Sequence, residues 1–356
     1  MSAGARQDQD ITIACYRNEI PSFIEEDLVA LYGILHSSLP FFEIFRSTRG
    51  LSCYVCRRRG RPLAIFLFSL DGSCLEVVNE MIEVEREEVL RFVRYAFAHF
   101  PQVDLVRFKA VKAPMRHCDF PFQQYHAKDT LCISFPATIE EYMAGLGRST
   151  RTTIQYKGNK ARRELPSLRV EFRTGEQIDD AQLLRIMQLS EAKINARQVK
   201  LHYDRERIAA LARRCGFITV VLVDDCVAAG SIAYRTGEHY FGEVTAYDSR
   251  YERYSLGTLC AHETIRELIA RGARRLYLGG GAFDYKERLR GETVSMDELT
   301  IYRSHWGMMA NPRHTARTIV GARIRACKDV LHRHRRHMLA RIVFDGYYLM
   351  KNRVLK

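Results

Sequence analysis

The sequence predicts a mixed α/β protein built as two related halves, followed by a basic helical tail. Three observations carry this. At 356 residues the chain exceeds one average domain and suffices for two, each with its own core. Two stretches repeat one order of elements, a three-stranded meander, an amphipathic helix and a further strand. Residues 313–356 hold 12 Lys/Arg against 2 Asp/Glu, so most of the formal net charge of +13 sits in the tail. Hydrophobic residues at 47% and charged residues at 27% exclude disordered and fibrous classes.

The first meander runs through residues 53–56, a basic turn around Gly60, residues 63–70, the turn Asp71-Gly72 and residues 75–81. Residues 84–100 then place Val89, Phe92, Val93, Ala96 and Phe97 at helical spacing, ahead of a strand at 103–108. Residues 139–145 and 150–165 read as connecting helices. The second half opens with a strand at 168–172 and helices within 179–197 and 204–215. Its meander covers 217–223, 227–234 and 240–247, with turns at Asp224-Asp225 and Thr236-Gly237. A helix at 255–270 stops at Gly272, and a strand follows at 275–278. The same order occurring twice implies a duplication of fold. Four segments are expected: a half over 1–137, connecting helices over 138–166, a second half over 167–310 and a tail over 311–356.

The N-terminus lacks the apolar core of a signal peptide, and the longest apolar runs are too short to span a bilayer, which points to a cytoplasmic protein. The ten cysteines form no framework. Cys53 and Cys56, in a strand, point to opposite faces, so buried thiols are expected rather than a metal site. No metal is expected elsewhere. His332, His334 and His337 fall on different faces of a helix.

Two segments carry candidate chemistry. Arg253-Tyr254-Ser255-Leu256-Gly257-Thr258-Leu259 follows a strand and opens a helix. Free N–H groups and the partial positive charge of a helix start suit a pyrophosphate; a helix simply capped by Ser255 is the plainer reading. Downstream, Gly279, Gly280 and Gly281 follow a strand and can splay it from its neighbour, with Tyr285 and Lys286 at the rim of the opening. The plainer reading there is a surface loop.

These segments, with Arg148-Ser149-Thr150-Arg151-Thr152-Thr153-Ile154-Gln155-Tyr156-Lys157 and Tyr247-Asp248, resemble the C-terminal GNAT domain of bacterial acetyltransferases associated with cellulose and exopolysaccharide production. The resemblance covers about residues 150–306. That family in turn is similar to the Fem-type aminoacyltransferases of peptidoglycan assembly, also made of two GNAT-like halves. The resemblance implies two tandem GNAT-like halves and an acyl-CoA donor, acetyl-CoA in the simplest case, with a saccharide or small-molecule acceptor. It implies a pyrophosphate cradle over Arg253, Ser255, Leu256, Gly257, Thr258 and Leu259, with Arg151 and the three glycines lining the cleft. Glu243 resembles the superfamily's strand-borne carboxylate base, although alternation along its strand can equally leave it in solvent. Tyr285 would serve as acid to the thiolate, and Lys286 would hold a phosphate or the developing charge. Two departures stand out: Tyr277 replaces an aspartate frequent before the glycine loop, and Gly257 meets the superfamily's phosphate signature only in part.

The first half fails the same test. Glu80, Glu83, Glu85, Glu87 and Glu88 surround Arg86 where the cradle should be, without a glycine, so pyrophosphate is repelled and this half is expected to be a degenerate scaffold. In the tail, Ile319, Ile324, Cys327, Val330, Leu331, Met338 and Ile342 recur at helical spacing among arginines. Such a helix can lie on an anionic membrane surface, bind a polyanion or dock on the protein. Two further readings stay open: aminoacyl transfer from a charged tRNA, with the basic residues of 148–163 on its phosphates, and a non-catalytic module with a membrane- or nucleic-acid-binding tail.

Overall fold

The periodicities of the sequence become regular elements in a computed structural model, which describes residues 10–195, 201–279, 284–312, 314–316, 319–321 and 323. In chain order these begin with β1 (Ile11–Tyr16), α1 (Ile24–Leu31), α2 (Leu39–Phe45), β2 (Ser52–Arg58), β3 (Arg61–Asp71) and β4 (Cys74–Val77). Next come β5 (Ile82–Glu83), α3 (Arg86–His99), β6 (Leu105–Lys112), β7 (Phe122–Ser134), α4 (Ile139–Gly145) and α5 (Arg148–Glu164). The chain continues with β8 (Arg169–Thr174), α6 (Asp180–Asn195), α7 (Arg205–Cys215), β9 (Gly216–Val223), β10 (Cys226–Thr236) and β11 (His239–Tyr247). It ends with α8 (Leu256–Ala270), β12 (Arg275–Tyr277), α9 (Asp284–Arg288), β13 (Glu292–Tyr302) and α10 (His305–Ala310).

Two compact units divide the chain, residues 1–128 with 295–356, and residues 129–294. The first unit orders its strands β1-β2-β3-β4-β6-β13, with β5 beside β6; the second orders them β8-β9-β10-β11-β12-β7. Each contains a single parallel step within its main run of strands, β4 with β6 and β11 with β12. The duplication therefore extends further than the meander. A strand, two helices, the meander, a helix and a parallel crossover strand occur in both units in the same order.

The division differs from the boundaries expected at 137/138 and 310/311, and the sixth strands explain the difference. β7 follows β6 in the chain, yet its residues 132–134 pair with β12. β13 follows β12, yet its residues 297–302 pair with β6. A buried backbone N–H or C=O must find a partner, so ladder pairing, not chain order, assigns these strands to their units. β1, α1, α2, β7 and β13 carry no repeat that the sequence made visible.

In the first unit the inward face of the meander is aromatic. Phe92 of α3 stands 4.8 Å from the rings of Tyr54 and Phe66, 5.7 Å from Phe68 and 6.3 Å from Phe108. The opposite face packs Cys53, Val55, Ile65 and Leu67 against Ile24, Leu28 and Phe42. Cys53 and Cys56 thus belong to different cores, as strand alternation requires.

In the second unit α8 covers one face of the sheet, packing Ile265 and Leu268 with Phe217, Tyr240 and Leu276, and with Tyr142 of α4 and Ile154 of α5. Against the other face lies α6. A Cβ at Gly230 of β10 would come 2.4 Å from Ile186 Cδ1, so glycine there is what lets α6 approach.

Of the expected tail over 311–356, residues 312, 314–316, 319–321 and 323 are helical; residues 324–356, including His332, His334 and His337, lie outside the described residues. Among the described residues no helix is long and apolar enough to cross a membrane.

Candidate active site

The site is built by one parallel step. β11 pairs with β12 as His239↔Arg275, Tyr240↔Leu276 and Phe241↔Tyr277, and there the ladder stops. Gly279 then adopts φ +68, with the position of its missing Cβ 3.9 Å from Gly242 O. β11 continues to Tyr247 with its other edge on β10. At the parting point the register shifts: Ala233 faces Gly242 and Ile232 faces Val244, which leaves Glu243 as an extra, bulged residue. A bulge bends and twists its strand and re-aims the side chain it carries. Gly279 stands just beyond the point where the ladder ends; Gly280 and Gly281 lie outside the described residues.

Glu243 is open to solvent, yet it is surrounded by enough protein that desolvation pushes its carboxyl above the ordinary range. Two phenols face the same charge. Burial chiefly, with the Glu243 charge in addition, raises both Tyr203 and Tyr234. Tyr203 precedes α7; its hydroxyl lies 3.0 Å from Ser190 Oγ and its N–H donates to Glu191 Oε1 at 2.9 Å. Tyr234 Oη is buried with no hydrogen-bond partner among the described residues.

From Glu243 to Tyr247 the strand advances roughly 13 Å and reaches the start of α8. Asp248 accepts from Arg250 N at 3.0 Å and from the Arg250 side chain, and these bonds hold its carboxyl below the usual range. A 3-10 turn (Ser249–Tyr254) follows, and Ser255 takes a left-handed conformation, φ +54 and ψ +45, before the helix begins. Thr258 N and Leu259 N bend back to Ser255 O. The amides of Leu256 and Gly257 have no partner among the described residues, and no acidic side chain stands in the first turn. Ser255 does not cap with its side chain, so the plain capping reading does not hold.

Gly257 answers to packing as much as to any ligand. A Cβ there would lie 2.7 Å from Tyr247 Cδ1. On the Tyr247 ring rests Lys193 Nζ, 4.0 Å from the centroid. α5 brings two more cations to this end: Lys157 Nζ donates to Arg253 O at 3.1 Å, and Lys160 Nζ stands 5.9 Å over the Tyr254 ring. Arg253 turns back to donate to Tyr254 Oη at 2.5 Å. The meeting of Lys193 with Tyr247 emerges only from the structure, since it depends on how α6 crosses β11.

Lys286 is buried, with its Nζ donating to Leu278 O at 2.8 Å and Gly279 O at 3.4 Å, and burial lowers its pKa. It ties down the strand end where β12 parts from β11. Tyr285 is about half exposed, 49%, and burial of its hydroxyl raises its pKa. Arg151 is half-buried on the first turn of α5. No hydrogen bond or ion pair joins its side chain to β11, β12 or the start of α8 among the described residues. A separate cleft of about 370 Å³ lies between α4, α5 and α8, with Ile139, Met143, Ile154, Gly158, Leu259 and His262 among its lining; no residue of β11 or β12 enters it.

Residues 148–287 match the family described as Acetyltransferase (GNAT) domain. The crystal structure of FemX superposes with a TM-score of 0.58 at 10% identity, covering 81% of this chain and 96% of that one. A conserved protein of unknown function from Bacteroides thetaiotaomicron gives 0.50 at 10% identity, over 81% and 99% of the two chains. At such identity both likenesses speak for the fold. No curated protein sequence matches the chain. The parted parallel strands, the bulge and the open helix start all fall inside the segment that matches this family.

Proposed function

We propose that the second unit transfers an acyl group, acetyl in the simplest case, from acyl-CoA to the amine or hydroxyl of an amino sugar, a sugar nucleotide or an envelope polysaccharide precursor, in the cytoplasm. The observation that carries this reading is the parting of β11 from β12, with bulged Glu243 at one end and the open start of α8 at the other. An extended arm joining a pyrophosphate to a thioester needs those two stations and a free strand edge between them.

In this reading the pyrophosphate rests on the amides of Leu256 and Gly257, with Ser255, Thr258 and Leu259 shaping the turn and Arg253, Lys157, Lys160 and Lys193 supplying positive charge. The acceptor nitrogen or oxygen attacks the thioester carbonyl, and its proton passes to the Glu243 carboxylate. A carboxyl raised by desolvation is a stronger base than an ordinary one. Backbone N–H groups on the freed edge of β11 take the oxyanion. The C–S bond breaks, and Tyr285 protonates the departing thiolate. Lys286 acts through position, by holding the carbonyls of Leu278 and Gly279, rather than by contact with phosphate. Gly279 and Arg151 are assigned to the acceptor side of the cleft.

The test is a rise in melting temperature with acetyl-CoA, followed by thiol release in the presence of amino sugars and sugar nucleotides. A protein that neither binds acetyl-CoA nor releases thiol with any acceptor overturns the reading. Aminoacyl transfer from charged tRNA draws support from the basic residues of α5, of which Arg148 is exposed. Tight tRNA binding with a steep salt slope, in the absence of an acetyl-CoA response, would select it.

A further inference from the structure

The stretch that follows β13 is fastened to the first unit by its polar groups and shows its largest apolar side chains to solvent. The Arg303 guanidinium donates to the carbonyls of Phe97, Phe100 and Val103 at 2.7–2.9 Å. Ser304 caps α10, its Oγ accepting from Gly307 N at 3.1 Å. Gly307 is buried beside Asp104, and Met308 packs against Cys74, Leu105 and Tyr302. Asn311 Nδ2 donates to Gly307 O at 2.9 Å, and Ser73 Oγ donates to Asn311 Oδ1 at 3.0 Å. The helix is therefore held in one orientation.

In that orientation Trp306 is 78% exposed and Met309 68%, one turn apart on the same face, and Val320 further on is 54% exposed. Trp306 is the only tryptophan in the chain. Folded proteins rarely leave a held indole and thioether side by side in water without a use. The chain then runs directly into residues 313–356, with 12 Lys/Arg against 2 Asp/Glu.

A partner for this surface must offer negative charge and an apolar medium together. Duplex nucleic acid offers charge along its backbone but keeps its base faces stacked away from the indole and thioether. A bilayer of anionic lipid offers both, with phosphate headgroups for the arginines and the acyl boundary for the rings and thioether. We propose that α10 and the basic segment after it dock the protein on an anionic membrane surface, with Trp306 and Met309 entering the interface.

The single tryptophan makes the test direct. The full chain is mixed with vesicles of phosphatidylcholine alone, or of equal phosphatidylcholine and phosphatidylglycerol. Expected with the anionic vesicles is a blue shift of Trp306 emission, its quenching by lipids brominated in the acyl chain, and co-sedimentation that weakens with salt. Met309→Ser is expected to weaken vesicle binding by at least about 10-fold while keeping the melting temperature and circular dichroism of the parent. Trp306→Ser, followed by sedimentation, is expected to do the same. Unchanged emission and no sedimentation at low salt overturn the proposal. So does an emission shift produced by tRNA or by self-association at rising protein concentration, with none from vesicles.

Discussion

The two units meet the same topological task, a parallel strand beside the end of a meander, and resolve it in opposite ways. In the second, β11 and β12 part after three pairs, a bulge re-aims Glu243, and α8 begins at a left-handed Ser255 with no acid in its first turn. In the first, β4 pairs with β6 from Cys74↔Leu105 to Val77↔Phe108, and pairing resumes at β5 with Ile82↔Val111 and Glu83↔Lys112. Met81 N and Val84 N bond to Ala110 O and Lys112 O, so the edge that lies free in the second unit is stitched shut. α3 then opens behind Glu85 with Glu87 and Glu88 in its first turn. A closed ladder leaves no room for an extended arm, and carboxylates at a helix start oppose a phosphate. In the proposed function, the same fold serves as a site in one unit and a scaffold in the other, depending on a few residues after its fourth strand.

The comparison can be broken most severely at Gly257. Gly257→Val places carbon within 2.7 Å of the Tyr247 ring. Displacing the cradle by about 1 Å is expected to lower transfer by roughly 100-fold and to abolish the acetyl-CoA melting shift. Glu243→Gln comes next, with kcat lowered by about 10²-fold or more and donor binding retained. Since the base must be ionised and desolvation raises its pKa, the parent's rate falls with acid at a pH above that of an ordinary carboxylate. The same shift means that the charge costs stability at neutral pH, so the glutamine variant should melt no lower than the parent.

A smaller effect concerns what holds the cradle's helix. Burial alone would raise Glu263, but His262 beside it, the hydrogen bond from Arg162 and the charges of Arg266 and Arg162 bring it to about 2. Glu263→Gln should cost about 2 kcal/mol at pH 7. A depressed carboxyl stabilises above its unfolded pKa and loses this as pH falls through the folded one. The difference between parent and variant in urea titrations should therefore shrink from pH 5 downward and vanish near pH 2. Smallest of all, Glu85→Gln with Glu87→Gln should create no second donor site, because β5 still closes the ladder; two acetyl-CoA equivalents by calorimetry would refute that.

Much of this was legible from period and turn chemistry. The repeated meanders, α3, α8 and the helix start at Ser255 follow from apolar spacing and glycine placement. The exchanged sixth strands were not legible, because β7 and β13 read alike to local pattern and only long-range pairing decides which ladder each joins. Glu243 was readable as a candidate from its place on a strand. Its bulge was not, since a register shift lies in the pairing of β11 with β10. Lys286 stands out in the sequence by its place behind the glycine loop. That its ammonium serves two backbone carbonyls depends on where the chain turns, which no spacing specifies.

Backbone hydrogen exchange with and without acetyl-CoA tests the central contrast most directly. Slower exchange is expected for amides in residues 242–247 and 256–259, with none of comparable size in residues 78–88. Protection confined to the first unit, or bound acetyl-CoA that leaves both segments of the second unchanged, would contradict the assignment of the donor site to the parted strands and the start of α8.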